Sequence, residues 1–224
     1  MHMSDGLIDA PTSLLFVAVA VGCVSIAAWR ARAELDERTA PMAGLVAAFI
    51  FAVQMVNFPV LPGVSGHLLG GALAAILVGP FTGILCVSIV LIVQALLFAD
   101  GGLTALGANI TNMAVVGVTA GYVVALALRP LLPRGLGALA FTAALCGTLA
   151  ASMGFVLEYA IGGQSAGTGS TSLGAVSAYM LGAHALIGIG EGVITAVTVT
   201  AVARSRPDLV YLLRTAPSRV AAQA

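Results

Sequence analysis

The chain of 224 residues contains no lysine, its charged residues amount to 8% of the total, and one tryptophan stands among few aromatics. Without a basic tract there is nothing to hold a nucleic-acid backbone. Charge is also too scarce to cover a water-exposed globule of this size. Hydrophobic residues make up 60% of the chain and the mean hydropathy is +1.08, which specifies an integral membrane protein. The three cysteines, Cys23, Cys86 and Cys146, lie far apart inside apolar runs and lack CxxC spacing. That pattern excludes a thiolate metal site or redox pair and reads as small core residues. No glycine-rich phosphate cradle is present, so the chain is expected to be no enzyme and to hydrolyse no ATP of its own. The start has neither a basic n-region nor a small-residue cleavage site, and the first ten residues are expected to remain in the mature protein.

What is abundant is apolar sequence in lengths that fit a bilayer, about 20 residues per helix. The charged and Pro/Gly-rich breaks predict an all-α membrane protein of about seven transmembrane helices, over approximately 11 to 29, 40 to 60, 68 to 80, 82 to 99, 105 to 128, 136 to 160 and 175 to 203. The third is short and ends at Gly79-Pro80, where a helix cannot continue cleanly. Residues 1-205 read as one transmembrane domain with an N-terminal ligand segment at 1-10, and 206-224 as a tail.

With seven alternating spans, Arg30, Arg32, Arg38, Arg129, Arg134, Arg204, Arg206, Arg214 and Arg219 all fall on one side. These are all the cations of the chain apart from its histidines. The positive-inside rule makes that side cytoplasmic and puts the N-terminus outside and the C-terminus in the cytoplasm. The His67 loop, the Asp100 loop and the 163 to 174 loop then face outward. Asp5, Asp9, Asp100 and Glu158 give that face a mildly acidic character suited to an incoming cation.

Met1-His2 is the feature with the most chemistry. A free amine followed at once by histidine offers three nitrogens, the α-amine, the His2 backbone nitrogen and the His2 ring, in fused chelate rings that favour a planar arrangement. His67, in the turn from Asn57 to Gly71 with Pro59, Pro62, Gly63, Gly66, Gly70 and Gly71, can supply a fourth. Four nitrogens suit nickel(II), copper(II) or cobalt(II) and not magnesium or calcium. Polar residues inside spans are costly and therefore candidates for function. His184 and Glu191, seven apart on one helix face, and Asn109 and Asn112, three apart, are expected to support the centre or knit helices rather than to ligate. Gln54 and Gln94 carry no site assignment, and the dispersed methionines read as core packing. A stripe of Ala40, Gly44, Ala48 and Ala52 on the second helix would let another helix pack closely, within the chain or from a partner.

Four segments in this order, Met-His-x-x-x-Gly at the start, Asn57 to Gly71 continuing into Gly79-Pro80, Gly107 to Met113, and His184 to Gly192, closely resemble the CbiM/NikM family across nearly the whole chain. The resemblance implies the substrate-binding membrane component of an energy-coupling-factor importer for cobalt or nickel in a prokaryotic cell membrane. It implies metal ligation by Met1, His2 and His67, with the ion as cargo and no cofactor. It also implies separate ATPase subunits, a transmembrane coupling subunit and a small accessory membrane subunit as partners. Met3-Ser4-Asp5 departs from the aliphatic residue and proline often found there. Two rival readings are a component of the same class for a different small substrate, and an intramembrane serine hydrolase built on Ser65 and His184. The latter lacks the closing glycine of GxSxG, since position 67 is histidine. Planar nitrogens favour nickel, while the run Asp5 to Ser13 looks more like cobalt-type relatives.

Overall fold

In hydrocarbon every backbone amide needs a partner from the chain itself, which makes helices the spanning form for a sequence like this one. The computed structural model of the protein describes residues 1–37, 39–132, 135–163 and 172–214. Arg38, Arg134, Arg219 and most of the 163 to 174 loop lie outside the described residues. In chain order the elements are β1 (His2–Met3), α1 (Ala10–Ala31), α2 (Thr39–Gln54), β2 (Phe58–Leu61), β3 (Val64–Gly66), α3 (Gly71–Val78), α4 (Pro80–Leu97) and α5 (Leu106–Asn109). A π-helical stretch (Ile110–Gly117) then leads into α6 (Val118–Leu128), α7 (Leu136–Gly162) and α8 (Leu173–Ser205), and a short turn of 3-10 helix precedes α9 (Tyr211–Arg214).

Five stretches among the described residues are long and apolar enough to cross a membrane: Ala10–Ala31, Pro80–Leu97, Leu106–Leu128, Leu136–Gly162 and Leu173–Ser205. Large apolar side chains such as Leu14, Val21, Leu97, Leu186 and Val197 are exposed on them, as expected where the solvent is lipid. The other two expected spans are shorter than a crossing. The second ends at Gln54, because the chain turns into strand β2, and the third is α3, eight residues that are all buried. At 1.5 Å per residue α3 is about 12 Å long against about 27 Å for α4. Since the two helices meet at Gly79-Pro80, the loop feeding α3 dips well below the far end of α4.

Local chemistry sets the helix ends. Asp9 caps α1 by accepting from the Thr12 amide at 2.9 Å, and Asp36 and Thr39 cap α2 reciprocally, each backbone amide donating 2.8 Å to the other's side chain. Pro80 opens α4, whose free amides of Phe81 and Thr82 donate to Glu34 at 3.2 and 2.6 Å. A carboxylate at a helix N-terminus satisfies orphan donors and the dipole together. Glycines draw the buried helices together. A Cβ on Gly71 would stand 3.1 Å from the Gly117 backbone, and one on Gly147 would stand 2.8 Å from the Gly117 carbonyl oxygen. Small-residue contact of this kind is how helices associate in lipid.

The ends that carry arginine share one side of the molecule. Arg30 lies over the Phe81 ring at 5.9 Å, joining the end of α1 to the start of α4. Tyr122 of α6 meets Tyr211 of α9 at 6.3 Å between centroids. Val210 and Leu212 are buried there, beside α3, so part of the expected tail is packed against the helical domain.

Candidate metal centre

The N-terminal segment enters the molecule as an edge strand. β1 pairs antiparallel with β3, His2 opposite Ser65 and Met3 opposite Val64, while β2 takes the other edge of β3. Carried one residue back, this register sets Met1 opposite Gly66, the neighbour of His67. The Met1 amine is in contact with His67 Nε2. Gly63 turns the hairpin at φ +75°, and Gly66 leaves room for Val60 and Ile187, whose side-chain atoms would stand 2.5 and 3.2 Å from an added Cβ. The strands thus bring Met1, His2 and His67 together, with the two imidazoles 4.6 Å apart between centroids.

The protonation pattern suits ligation. Nδ1 of His67 lies 2.8 Å from the Leu68 carbonyl oxygen, which can only accept, so Nδ1 carries the proton and Nε2 presents its lone pair to the amine. Burial pushes the Met1 amine well below its ordinary pKa, with Asp100 and Glu191 opposing. His2 is lowered by burial and then by the adjacent terminal ammonium. His67, 1% exposed, is lowered by burial first, then by the ammonium, His2 and His184, with the Leu68 bond opposing. Each shift favours the unprotonated nitrogen, the form a metal requires. Among the described residues no three His, Cys, Asp or Glu side chains gather as a metal site on their own, so a four-nitrogen centre here needs the backbone.

Asn109 holds the strand that carries these atoms. It accepts from the Met3 amide at 2.8 Å and donates to the Met3 carbonyl at 3.2 Å, while the Gly102 amide donates to the same carbonyl at 2.8 Å. Asp5 accepts from the Thr104 amide at 2.7 Å and from its hydroxyl at 2.6 Å. Glu191 holds the other half of the centre. Its two oxygens accept from the Leu69 and Gly70 amides at 2.7 and 3.0 Å, and Thr148 adds a third bond at 3.0 Å. Gln54, given no role from sequence, donates 2.7 Å to the Leu69 carbonyl. Its signal was burial cost, a polar amide in an apolar helix.

Two expected supports are arranged differently. His184 is buried but donates Nδ1–H to the Met180 carbonyl at 2.8 Å, and its ring is not bonded to Glu191. Asn112 does not accompany Asn109; it donates to Glu158 on α7. The π-helical stretch starting at Ile110 is the reason, since its wider turn takes the three-residue spacing off a common face. Ser65 approaches Asp100, at 3.5 Å, and makes no bond to a histidine, which leaves the hydrolase reading without a base. A cleft of about 360 Å³ opens over the centre, with His2, Asp100 and Gly101 in its lining. Asp100 was read from sequence only as part of an acidic surface, yet its Oδ2 lies 3.8 Å from His2 Nε2.

The fold defines a multi-pass helical membrane protein, and nitrogen donors recessed beneath a cleft suit it to a borderline-soft divalent cation. Residues 2–209 match CbiM, the cobalt uptake substrate-specific transmembrane region, and the chain belongs to that family. A protein of Haloquadratum walsbyi named for metal transport is 40% identical over 94% of this chain and 94% of its own length. A protein of Archaeoglobus fulgidus named for fused nickel transport is 40% identical over 99% of this chain and 71% of its own. A crystal structure described as a truncated transition metal transporter superposes with a TM-score of 0.80 at 28% identity, covering 92% of this chain and 99% of that one. The protein is accordingly a membrane component of the cobalt and nickel transport class.

Proposed function

We propose that this chain is the substrate-capture component of an energy-coupling-factor importer, and that it takes cobalt(II) or nickel(II) from the outer face through the Met1 amine, the His2 amide nitrogen and ring, and His67 Nε2. The observation that carries the reading is the contact of a buried terminal amine with the lone-pair nitrogen of a histidine whose tautomer is fixed from behind. Without metal the amine donates to that lone pair; a cation placed between them would be ligated by both nitrogens. Metal binding replaces the amine–imidazole contact by two metal bonds, and the His2 amide gives up its proton to complete the chelate.

The arginines on one side support an external N-terminus and a cytoplasmic C-terminus. Energy would then come from ATPase subunits through a transmembrane coupling subunit, with a small accessory membrane subunit beside it. The outward-facing stripe of Ala40, Gly44, Ala48 and Ala52 on α2 supports a docking role for that helix. The ion is cargo, with no cofactor involved. The test is titration of purified protein with cobalt and nickel in parallel, using a native amino terminus beside a version extended by one residue before Met1. Stoichiometric binding lost on extension is expected, and the tighter metal names the substrate. Equal binding by both forms would move the site elsewhere and revive the reading as a component for a different small substrate.

A further inference from the structure

An N-terminal X-His unit that binds metal through its amine and first amide nitrogen reaches the same ion with Nδ1 of the ring. Nδ1 closes the next chelate ring, whereas Nε2 lies on the far side of the imidazole. Nε2 of His2 is therefore the nitrogen left over. It is buried and has no partner within hydrogen-bond distance, the neighbouring Gln94 amide included, which acts on the ring yet leaves its own polar atoms unpaired, and a polar atom in that state is costly. Asp100 Oδ2 stands 3.8 Å away. Asn57 Nδ2 donates to that oxygen at 2.8 Å and the Ser65 hydroxyl reaches Oδ1 at 3.5 Å, so the carboxylate is fixed between the strand carrying His2 and the mouth of the cleft. On the opposite edge of the ring, Gly101 faces Nδ1: a Cβ there would stand 2.8 Å from it. The two nitrogens of His2 thus have distinct surroundings, one beside a bare backbone and one beside an anion.

We infer that Asp100 is the positioning residue of the metal centre: it accepts the His2 Nε2–H, which fixes Nδ1 as the nitrogen that meets the ion. The inference rests on the proposed nitrogen centre. A gap of 3.8 Å becomes a hydrogen bond with a movement of about 1 Å. Ligation makes Nε2–H more acidic and the bond to the carboxylate stronger, and the carboxylate in turn makes Nδ1 a better donor. The negative charge also faces the incoming dication from the cleft side, opposite Glu191 behind the His67 loop.

The experiment is a competition titration of nickel and cobalt on full-length protein with a native amino terminus, for wild type, Asp100→Ala and Asp100→Asn. It is paired with proton–nitrogen NMR of the nickel-loaded, histidine-labelled protein, in which planar nickel(II) is diamagnetic. Asp100→Ala is expected to weaken binding by about 10–100-fold. Asp100→Asn, which retains an accepting oxygen without the charge, falls between it and wild type. Wild type shows a far-downfield His2 Nε2–H that moves upfield in Asp100→Asn. An Asp100→Ala affinity equal to wild type, or a weakened affinity without that proton in wild type or with the proton unmoved, overturns the inference in favour of a loop tether. The extended amino terminus separates the two levels. Binding that survives extension removes the nitrogen centre itself, whereas binding lost on extension with a flat Asp100 series removes only the positioning role.

Discussion

Three nitrogens at the centre are deprived of their protons by burial, and two consequences follow at the scale of single residues. The first concerns protons. With the amine and both imidazoles already neutral, metal binding near neutral pH should release about one proton, from the His2 amide, rather than the two or three expected of a solvated site. Calorimetry in buffers of different ionisation enthalpy counts them. The second concerns the docked strand. These groups bind fewer protons folded than unfolded, so stability rises with pH. The contribution is fully present above the ordinary amine value of 8.0 and falls as pH drops through it and through the imidazole value of 6.5. The protection of the amides of residues 1–5 in metal-free protein, taken relative to the intrinsic exchange rate at each pH, should accordingly fall from about pH 8 to pH 5. Substitution gives a sharper check. His67→Ala should abolish tight binding with the protein still inserted in the membrane. Gly101→Ala should do nearly as much, since φ is +85° and the methyl would meet His2 Nδ1. Strain of about 1–3 kcal/mol corresponds to roughly 5–150-fold in affinity, read by the same titration.

At the scale of elements, the proposed donors are brought together by secondary structure that hydropathy alone does not announce. Met1, His2 and His67 were legible as a set because an X-His terminus has its own chelate chemistry and the topology put both on one side. The strand that joins them was not, since β1 is two residues long and gains its partner only from a hairpin far along the chain. Asn109 was legible as a buttress by its place on a helix near the centre. Asn112 misled, because the switch to π-helix after Asn109 cannot be read from a three-residue spacing. Glu191 was legible as costly and therefore purposeful, while its partners, the Leu69 and Gly70 amides, became visible only once α3 was seen to be a short helix starting at mid-depth. That carboxylate is the link between α8 and the loop of His67. Glu191→Ala should lower metal affinity by about 10–100-fold without touching a ligand. Glu191→Gln, which keeps one accepting oxygen, should lose less, and a thermal melt of the metal-free protein should fall in the same order.

For the whole molecule, the distribution of arginine carries more than any count of helices. About seven alternating spans were expected; five stretches are long and apolar enough to cross and α2 and α3 are shorter, yet the arginine at the end of α1 still meets the start of α4 and the chain after α8 still packs beside α3. The buried glycine contacts among α3, the π-helical stretch, α6 and α7 use up the small residues that hold the bundle together. Those on α2 are left over. Ala40, Gly44, Ala48 and Ala52 are exposed, and a Cβ on Gly44 would meet nothing within 4 Å, so enlarging them removes no contact inside the chain. A helix packed against that stripe from another subunit would be forced away. Gly44→Leu combined with Ala48→Leu should therefore leave metal binding by the purified protein unchanged and depress metal uptake by cells holding the complete importer. A loss of about 1.4 kcal/mol in helix packing corresponds to tenfold less assembled complex, measured by co-purification of the coupling subunit. Uptake and co-purification at wild-type levels would assign the stripe to lipid and send the search for the docking face to another helix.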